Sequence, residues 1–275
     1  MAWAVSCDLS RAVGPRQSLA SGPEAGESAI KSVIKTVLAR LGYHVIAAPS
    51  AGGQSSPARD KVFCIGANKT GTTSVERALR DLGLRLPEQG QQERLLTRRV
   101  LGGDAQALAE FCAAFDAFQD LPFSHGLVFA TCDALFPDAK FILTVRDADD
   151  WFNSVCRFQS KVFDVDVNAD PKDIRAVFEN ATTYLDRDYA RDVLERSLLR
   201  VSDNRVEPDW AGIFDRDQYI ARYDQRNKLI LKYFWGRCDK LLVVDVRQEA
   251  TTERLVRFLG LDPDLIGPMP HENAT

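Results

Sequence analysis

The stretch Lys61–Ser74, KVFCIGANKTGTTS, constrains this chain more than any other. Val62, Phe63, Cys64 and Ile65 form an almost uninterrupted apolar run, the pattern of a short strand buried on both faces. Gly66 breaks the run, and Ala67–Thr73 is a turn of small and hydroxyl-bearing residues around one lysine. From Ser74 the segment VERALRDLGL sets Val75, Leu79 and Leu82 at helical spacing, with Gly83 as the stop. Strand, small-residue turn and helix in that order leave several backbone N–H groups at the positive end of a helix dipole. Such an arrangement binds a phosphate or sulfate group. The nucleotide loop G-x-x-x-x-G-K-[ST] carries its lysine after the second glycine. Here Lys69 precedes Gly71, and Thr72, Thr73 and Ser74 follow, so this is a different loop.

Further strands are expected at Phe115–Gln119, at Ala139–Val145 (AKFILTV) and at Lys240–Val246 (KLLVVDV). Helical patterns lie between and after them at Asp104–Phe115, Ser124–Phe136, a segment opening at Asp147–Asp150, Asp217–Trp235 and Thr251–Gly260. Strands alternating with helices predict an α/β chain, three layers α/β/α around a central, mostly parallel sheet. Pro87–Val100 is polar, carries several arginines and shows no period, which reads as a solvated loop or one that contacts substrate. Asp164–Val201 is charged and largely helical, and Ser202–Phe214 reads as an irregular connection. Together they form a helical insertion at about 164–214, either a lid or acceptor-binding wall or a solvent-facing helical pair.

The N-terminal region reads differently. Residues 1–28 are rich in Gly, Ser, Ala and Pro without periodicity, the composition of a mobile tail. Residues 29–60 hold an amphipathic helix and a linker. Ile30, Val33, Ile34, Val37, Leu38 and Leu41 make its apolar stripe, opposite Lys31, Lys35 and Arg40. That helix packs on the domain or a partner chain, or docks reversibly on an anionic membrane. The domain proper is expected over residues 61–275.

A net charge of −4 gives no global attraction to nucleic acid, so an anion site must be local. Six cysteines show neither C-x-x-C pairing nor zinc spacing, which fits a reducing compartment. No secretory layout and no membrane-length apolar run is visible, so a cytoplasmic protein is expected, with peripheral membrane contact as the alternative.

Lys69, Asp120 and Arg146 each follow a different expected strand at the same sheet end, where open parallel α/β sheets bind ligands. Arg146 offers a fixed fork of donors suited to phosphate, and Ser154, about two helical turns on, can add a hydroxyl. The competing arrangement pairs Arg146 with Asp147 or Asp149 and leaves Ser154 on a helix surface. The Asp147/Asp149/Asp150 cluster reads as helix N-terminal charge rather than as metal ligands.

Three stretches together resemble the PAPS-dependent sulfotransferase superfamily, PAPS being 3′-phosphoadenosine 5′-phosphosulfate. They are GANKTGTTS, DLPFSHGLVFATCDALFPDAKFILTVRDADDWFNS, and RYDQRNKLILKYFWGRCDKLLVVDV with RFLGL and a closing P-x-x-N. The resemblance spans about Lys61–Asn273 and implies a P-loop NTPase-like sulfotransferase fold. It implies that Lys69 contacts the phosphosulfate, that Thr70, Gly71, Thr72, Thr73 and Ser74 cradle it, and that Arg146 and Ser154 hold the 3′-phosphate. PAPS would be the donor, its 3′,5′-ADP (PAP) the product, and no metal is implied. The acceptor, a small molecule, lipid or carbohydrate with a hydroxyl or amine, is not legible. Asp120 stands where relatives carry the acceptor's base; its alternative is a helix cap, and His125 is the runner-up base. Ala148 replaces a frequent proline, and no G-x-x-G-x-x-K segment is found, which leaves Arg247, Arg254 and His271 as candidates for late phosphate contacts. Two other readings compete: a P-loop kinase using ATP, and a catalytically silent nucleotide-binding relative.

Overall fold

The computed structural model describes residues 60–181, 184–185 and 187–270. The tail and amphipathic-helix readings, and all but Asp60 of the linker, lie outside the described residues, as does His271. In chain order the elements are β1 (Val62–Cys64), α1 (Thr72–Asp81), α2 (Gln89–Gln92), a π-helical turn (Glu93–Thr97), α3 (Arg98–Leu101), α4 (Ala105–Cys112) and β2 (Ala117–Phe118). Next come α5 (Val128–Leu135), β3 (Lys140–Thr144), α6 (Ala148–Phe163), α7 (Pro171–Asn180), α8 (Tyr189–Ser197), β4 (Leu199–Ser202) and β5 (Arg205–Pro208). The chain closes with α9 (Arg216–Tyr233), β6 (Leu241–Val244) and α10 (Thr251–Leu259).

The four-stranded sheet has the order β2-β1-β3-β6, and all its pairings are parallel. Side chains alternate across it. Phe63, Phe118, Phe141 and Leu143 enter one core with α4, α5 and the end of α9, while Val62, Cys64, Ala117, Ile142 and Val244 enter another with α1 and α10. That alternation is why the strands read as continuous apolar runs, and it produces the expected three layers. Phe63 stacks on Phe118 and Phe141 at ring distances of 5.2 and 5.6 Å. Burying each such ring contributes about 1.5–3 kcal/mol.

The chain leaves β1 toward β2 on one side and leaves β3 toward β6 on the other. A crevice therefore opens beyond the carboxyl ends of β1 and β3, the switch point of the sheet.

Three expectations are corrected. Pro87–Val100 is not a loop: α2, the π turn and α3 run through it, with Gln92, Glu93, Leu96 and Thr97 buried. Its inward face is largely polar, so no apolar period marks it. Ser202–Phe214 is not irregular throughout. β4 and β5 pair antiparallel around Asp203 and Asn204, both at positive φ, the backbone of a tight hairpin turn. Val201 and Val206 of this hairpin are exposed, which removes the half-buried alternation that marks a strand. Finally, α5 begins at Val128 rather than near Ser124, so His125 lies in the turn before it. Over 164–214 the segment has its own buried cluster of Val165, Ile174, Phe178, Leu198, Trp210, Ile213 and Phe214.

Candidate functional site

The loop after β1 is built to present backbone N–H groups. Lys69 and Gly71 both have positive φ, 71° and 94°. Gly71 is the N-cap of α1 and offers no side chain, so no side chain of the cap residue accepts from the N-terminal turn of that helix. Thr70 braces the turn from inside. Its hydroxyl donates to Ala67 O at 2.5 Å and lies 2.6 Å from Thr144 Oγ1. Thr72 and Ser74 are buried at the start of α1, and Thr73 is half-buried.

One face of α6 turns toward this loop. Trp151 Nε1 donates to Asn68 O at 2.9 Å, and the Lys69 ammonium sits 4.6 Å from the centre of the Phe158 ring. Ser154 lies between them at helical spacing and is buried, so it belongs to the same face. Asp147 caps α6 by accepting from Asp149 and Asp150 N–H, and Asp150 pairs with Arg247 at 2.8 Å. Asp149 pairs with Arg216. Arg146 is thus not consumed by those acids. Its Nη1 donates to Lys69 O at 3.5 Å, and its buried Nε has no partner. Tyr223 fixes the Arg146 backbone, its hydroxyl accepting from the N–H and donating to the carbonyl, both at 3.0 Å. Arg254 donates to Val243 O.

Burial lowers the Lys69 pKa; the Asp120 charge opposes this, and Arg146, Arg157 and Lys161 add to it. Lys69 therefore stands among cations beside a carboxylate, a field that favours an anionic ligand.

Asp120 follows β2 at φ 61° and is buried. It is not a helix cap: its Oδ1 accepts from its neighbour Leu121 N–H at 2.9 Å, and Oδ2 accepts from Gln89 Nε2 at 2.9 Å. The same Gln89 amide donates to Glu93 Oε1 at 2.8 Å, so one side chain bridges two carboxylates. Gln92 donates to the carbonyls on either side of Asp120, those of Gln119 and Leu121, at 2.6 and 2.7 Å. Burial, then the Glu93 charge, pushes the Asp120 carboxyl up to about 7, against the pull of Leu121 N–H and the Asn68 side chain. Glu93 is also raised by burial, and it accepts from Tyr189 OH at 2.9 Å and Tyr184 OH at 3.1 Å. Gln89, Gln92 and Glu93 were not legible as site residues, because nothing in a polar run without period says which side chains turn inward.

His125 is half-buried, with Nε2 3.2 Å from Ser197 Oγ. Burial, then Arg226 and Arg196, push its pKa down to about 4, so the ring is neutral near pH 7. It lines a cavity of about 810 Å³ that reaches the loop after β1 at Ala67 and Asn68. Trp151, Phe158, Phe178, Tyr189 and Tyr219 contribute aromatic rings to its wall.

The structure thus brings Lys69, the α1 N-terminus, Arg146 and the Ser154 face of α6 to one loop, with Asp120 within electrostatic reach of Lys69. His125 stands on the adjoining cavity. Among known families, the one described as Sulfotransferase domain matches residues 61–275. No curated protein matches the chain.

Proposed function

The chain belongs to the sulfotransferase-domain family, and from that premise we propose that it moves a sulfuryl group from PAPS to a hydroxyl or amine of an acceptor held in the aromatic cavity. The observation that carries this reading is the buried, unpartnered Nε of Arg146, on a guanidinium already docked against the Lys69 carbonyl. A buried donor without a partner calls for an acceptor from outside the chain, and a phosphate supplies one.

PAPS would supply the activated sulfuryl group, and the chain's residues would supply alignment and charge. The N-terminal turn of α1 and the Lys69 ammonium would hold the phosphosulfate end. The Lys69 ammonium would supply positive charge where the leaving phosphate oxygen becomes negative. Arg146 and Ser154 would hold the 3′-phosphate. Asp120 accepts the proton of the attacking acceptor, and with a pKa near 7 it is both substantially ionised and basic enough at neutral pH. His125, neutral on the cavity wall, is the other group able to accept that proton. Asp120 is favoured because Gln89, Gln92 and Asn68 hold it in place.

Calorimetry tests the reading. 3′,5′-ADP binds and ATP binds more weakly, and Arg146→Ala weakens 3′,5′-ADP by ~10–100-fold while barely changing 5′-AMP, the loss expected of one charge-assisted contact. Preference for ATP would favour phosphoryl transfer. Equal losses for both nucleotides would make Arg146 a support of the fold.

A further inference from the structure

The cavity beside the donor loop has two properties that pull in opposite directions. Its wall is mostly aromatic and aliphatic, yet five cations line it: Arg196, Arg222, Arg226, Lys228 and Lys232. None of the lining residues is Asp or Glu. Several cations elsewhere are matched with acids, as in Arg77–Asp81, Arg175–Glu179 and Arg257–Glu253. The cavity's five are not: among the described residues none takes part in an ion pair. Arg196 and Arg222 donate only to neutral groups, Leu101 O for the first, Ser197 O and Gln218 Oε1 for the second. On a chain of net charge −4, an unbalanced cluster of this kind is a local feature that needs its own explanation.

Arg226 gives the cluster a direction. It enters from α9 and is held by Nη1 on Ile65 O at 2.9 Å and Nε on Gly126 O at 3.3 Å. Its Nη2 is buried and has no partner. Ser124 Oγ and Gln159 Oε1 line the same cavity and are also buried without partners. Burial lowers the Arg226 pKa only to about 10, so the guanidinium stays charged. A desolvated cation that is anchored at two positions and open at the third is a receptor for one anionic oxygen.

We propose that the acceptor is an amphipathic anion: a hydroxyl-bearing molecule with an aromatic or aliphatic body and a carboxylate that meets Arg226 Nη2. The inference rests on the sulfotransferase reading for the word acceptor, but the binding selectivity stands on the cavity alone. The body fills the aromatic wall, where desolvation drives binding. The hydroxyl reaches the donor loop at Ala67 and Asn68, and Lys228 and Lys232 on the exposed face of α9 draw the anion in.

The test is a matched pair, a hydroxybiphenyl carboxylate and its neutral carboxamide, titrated calorimetrically into the full chain. The carboxylate binds at least tenfold more tightly, and the preference shrinks as salt is raised. Arg226→Gln removes most of the preference by weakening the carboxylate while leaving the amide nearly unchanged. Should that variant fail to fold, Lys228→Gln with Lys232→Gln, both exposed, lowers the wild-type preference partway. Equal affinities, a tighter amide or no binding of either compound would overturn the proposal. So would an Arg226→Gln variant that keeps the preference but loses 3′,5′-ADP, since the arginine would then serve the donor. A separate 3′,5′-ADP titration of the wild type distinguishes the two readings: its failure removes the sulfotransfer reading and leaves the carboxylate preference to be judged on its own.

Discussion

As the proposed base, Asp120 carries opposing demands that its neighbours resolve. A base must be ionised to accept a proton, yet burial and Glu93 both favour the protonated form and raise the carboxyl to about 7. Turnover therefore rises with pH through about 7, and Asp120→Asn lowers it by ~10²–10⁴-fold with 3′,5′-ADP affinity preserved. The same shift has a consequence for stability. The folded-state pKa lies above the ordinary 3.8, so the folded chain holds this proton more tightly than the unfolded chain does. The resulting stabilisation is full below about 3.8 and is lost as pH rises through about 7. Asp120→Asn should thus melt above the wild type at alkaline pH while being nearly inactive. A variant that melts lower there, or that keeps its rate, would remove Asp120 from the role. Glu93 acts through Asp120 rather than on the acceptor. Glu93→Gln removes a negative charge that raises Asp120, so the acid limb of the rate profile moves to lower pH. A merely structural Glu93 would leave that midpoint in place.

At the scale of elements, the loop after β1 depends on two glycines with different neighbours. A Cβ on Gly66 would lie 1.9 Å from Thr144 Oγ1, 2.6 Å from Thr144 O and 2.8 Å from Thr144 N, so backbone of β3 blocks it. A Cβ on Gly71 would lie 2.3 Å from Val246 Cγ2, a side chain, but there φ is +94°. Gly66→Ala should therefore cost ~3 kcal/mol or more in urea unfolding. Gly71→Ala should cost less stability, ~1–2 kcal/mol from the unfavourable φ, and lose more 3′,5′-ADP affinity, because it alters the N-cap of α1. The reverse order of stabilities would mean that β1 and β3 can part at Thr144. Both glycines, like Lys69 and Arg146, were legible in the sequence because strands buried on both faces announce themselves and the residues that end them. The α2–α3 segment was not, since Gln92, Glu93 and Thr97 are buried for their hydrogen bonds rather than their apolarity. The same holds for Arg226, which reads as one more cation on an amphipathic helix until Ile65 O and Gly126 O are seen to hold it.

At the scale of the molecule, the segment over 164–214 and the Asp120 carboxylate form one unit. Tyr189 opens α8 and is almost fully buried, with its hydroxyl donating to Glu93 Oε2 at 2.9 Å and lying 3.2 Å from Thr97 Oγ1. Arg98 of α3 pairs with Asp192 at 3.1 Å and lies over the Tyr189 ring. Through Glu93 and Gln89 these contacts reach Asp120, so the cavity wall and the Asp120 carboxylate are bound by one polar chain. Buried polar chains of this kind are coupled rather than additive. Tyr189→Phe should cost ~1.5–3 kcal/mol, the value of a hydrogen bond to a charged group, by leaving a buried carboxylate short of a donor. In a Glu93→Gln background the same change should cost only ~0.5–1.5 kcal/mol, because the acceptor is then neutral. Urea unfolding of the four proteins in this cycle gives the coupling directly, and about 1 kcal/mol is expected. Strict additivity would mean that Tyr189 contributes only its ring to the packing. The cavity wall could then move without disturbing the Asp120 carboxylate.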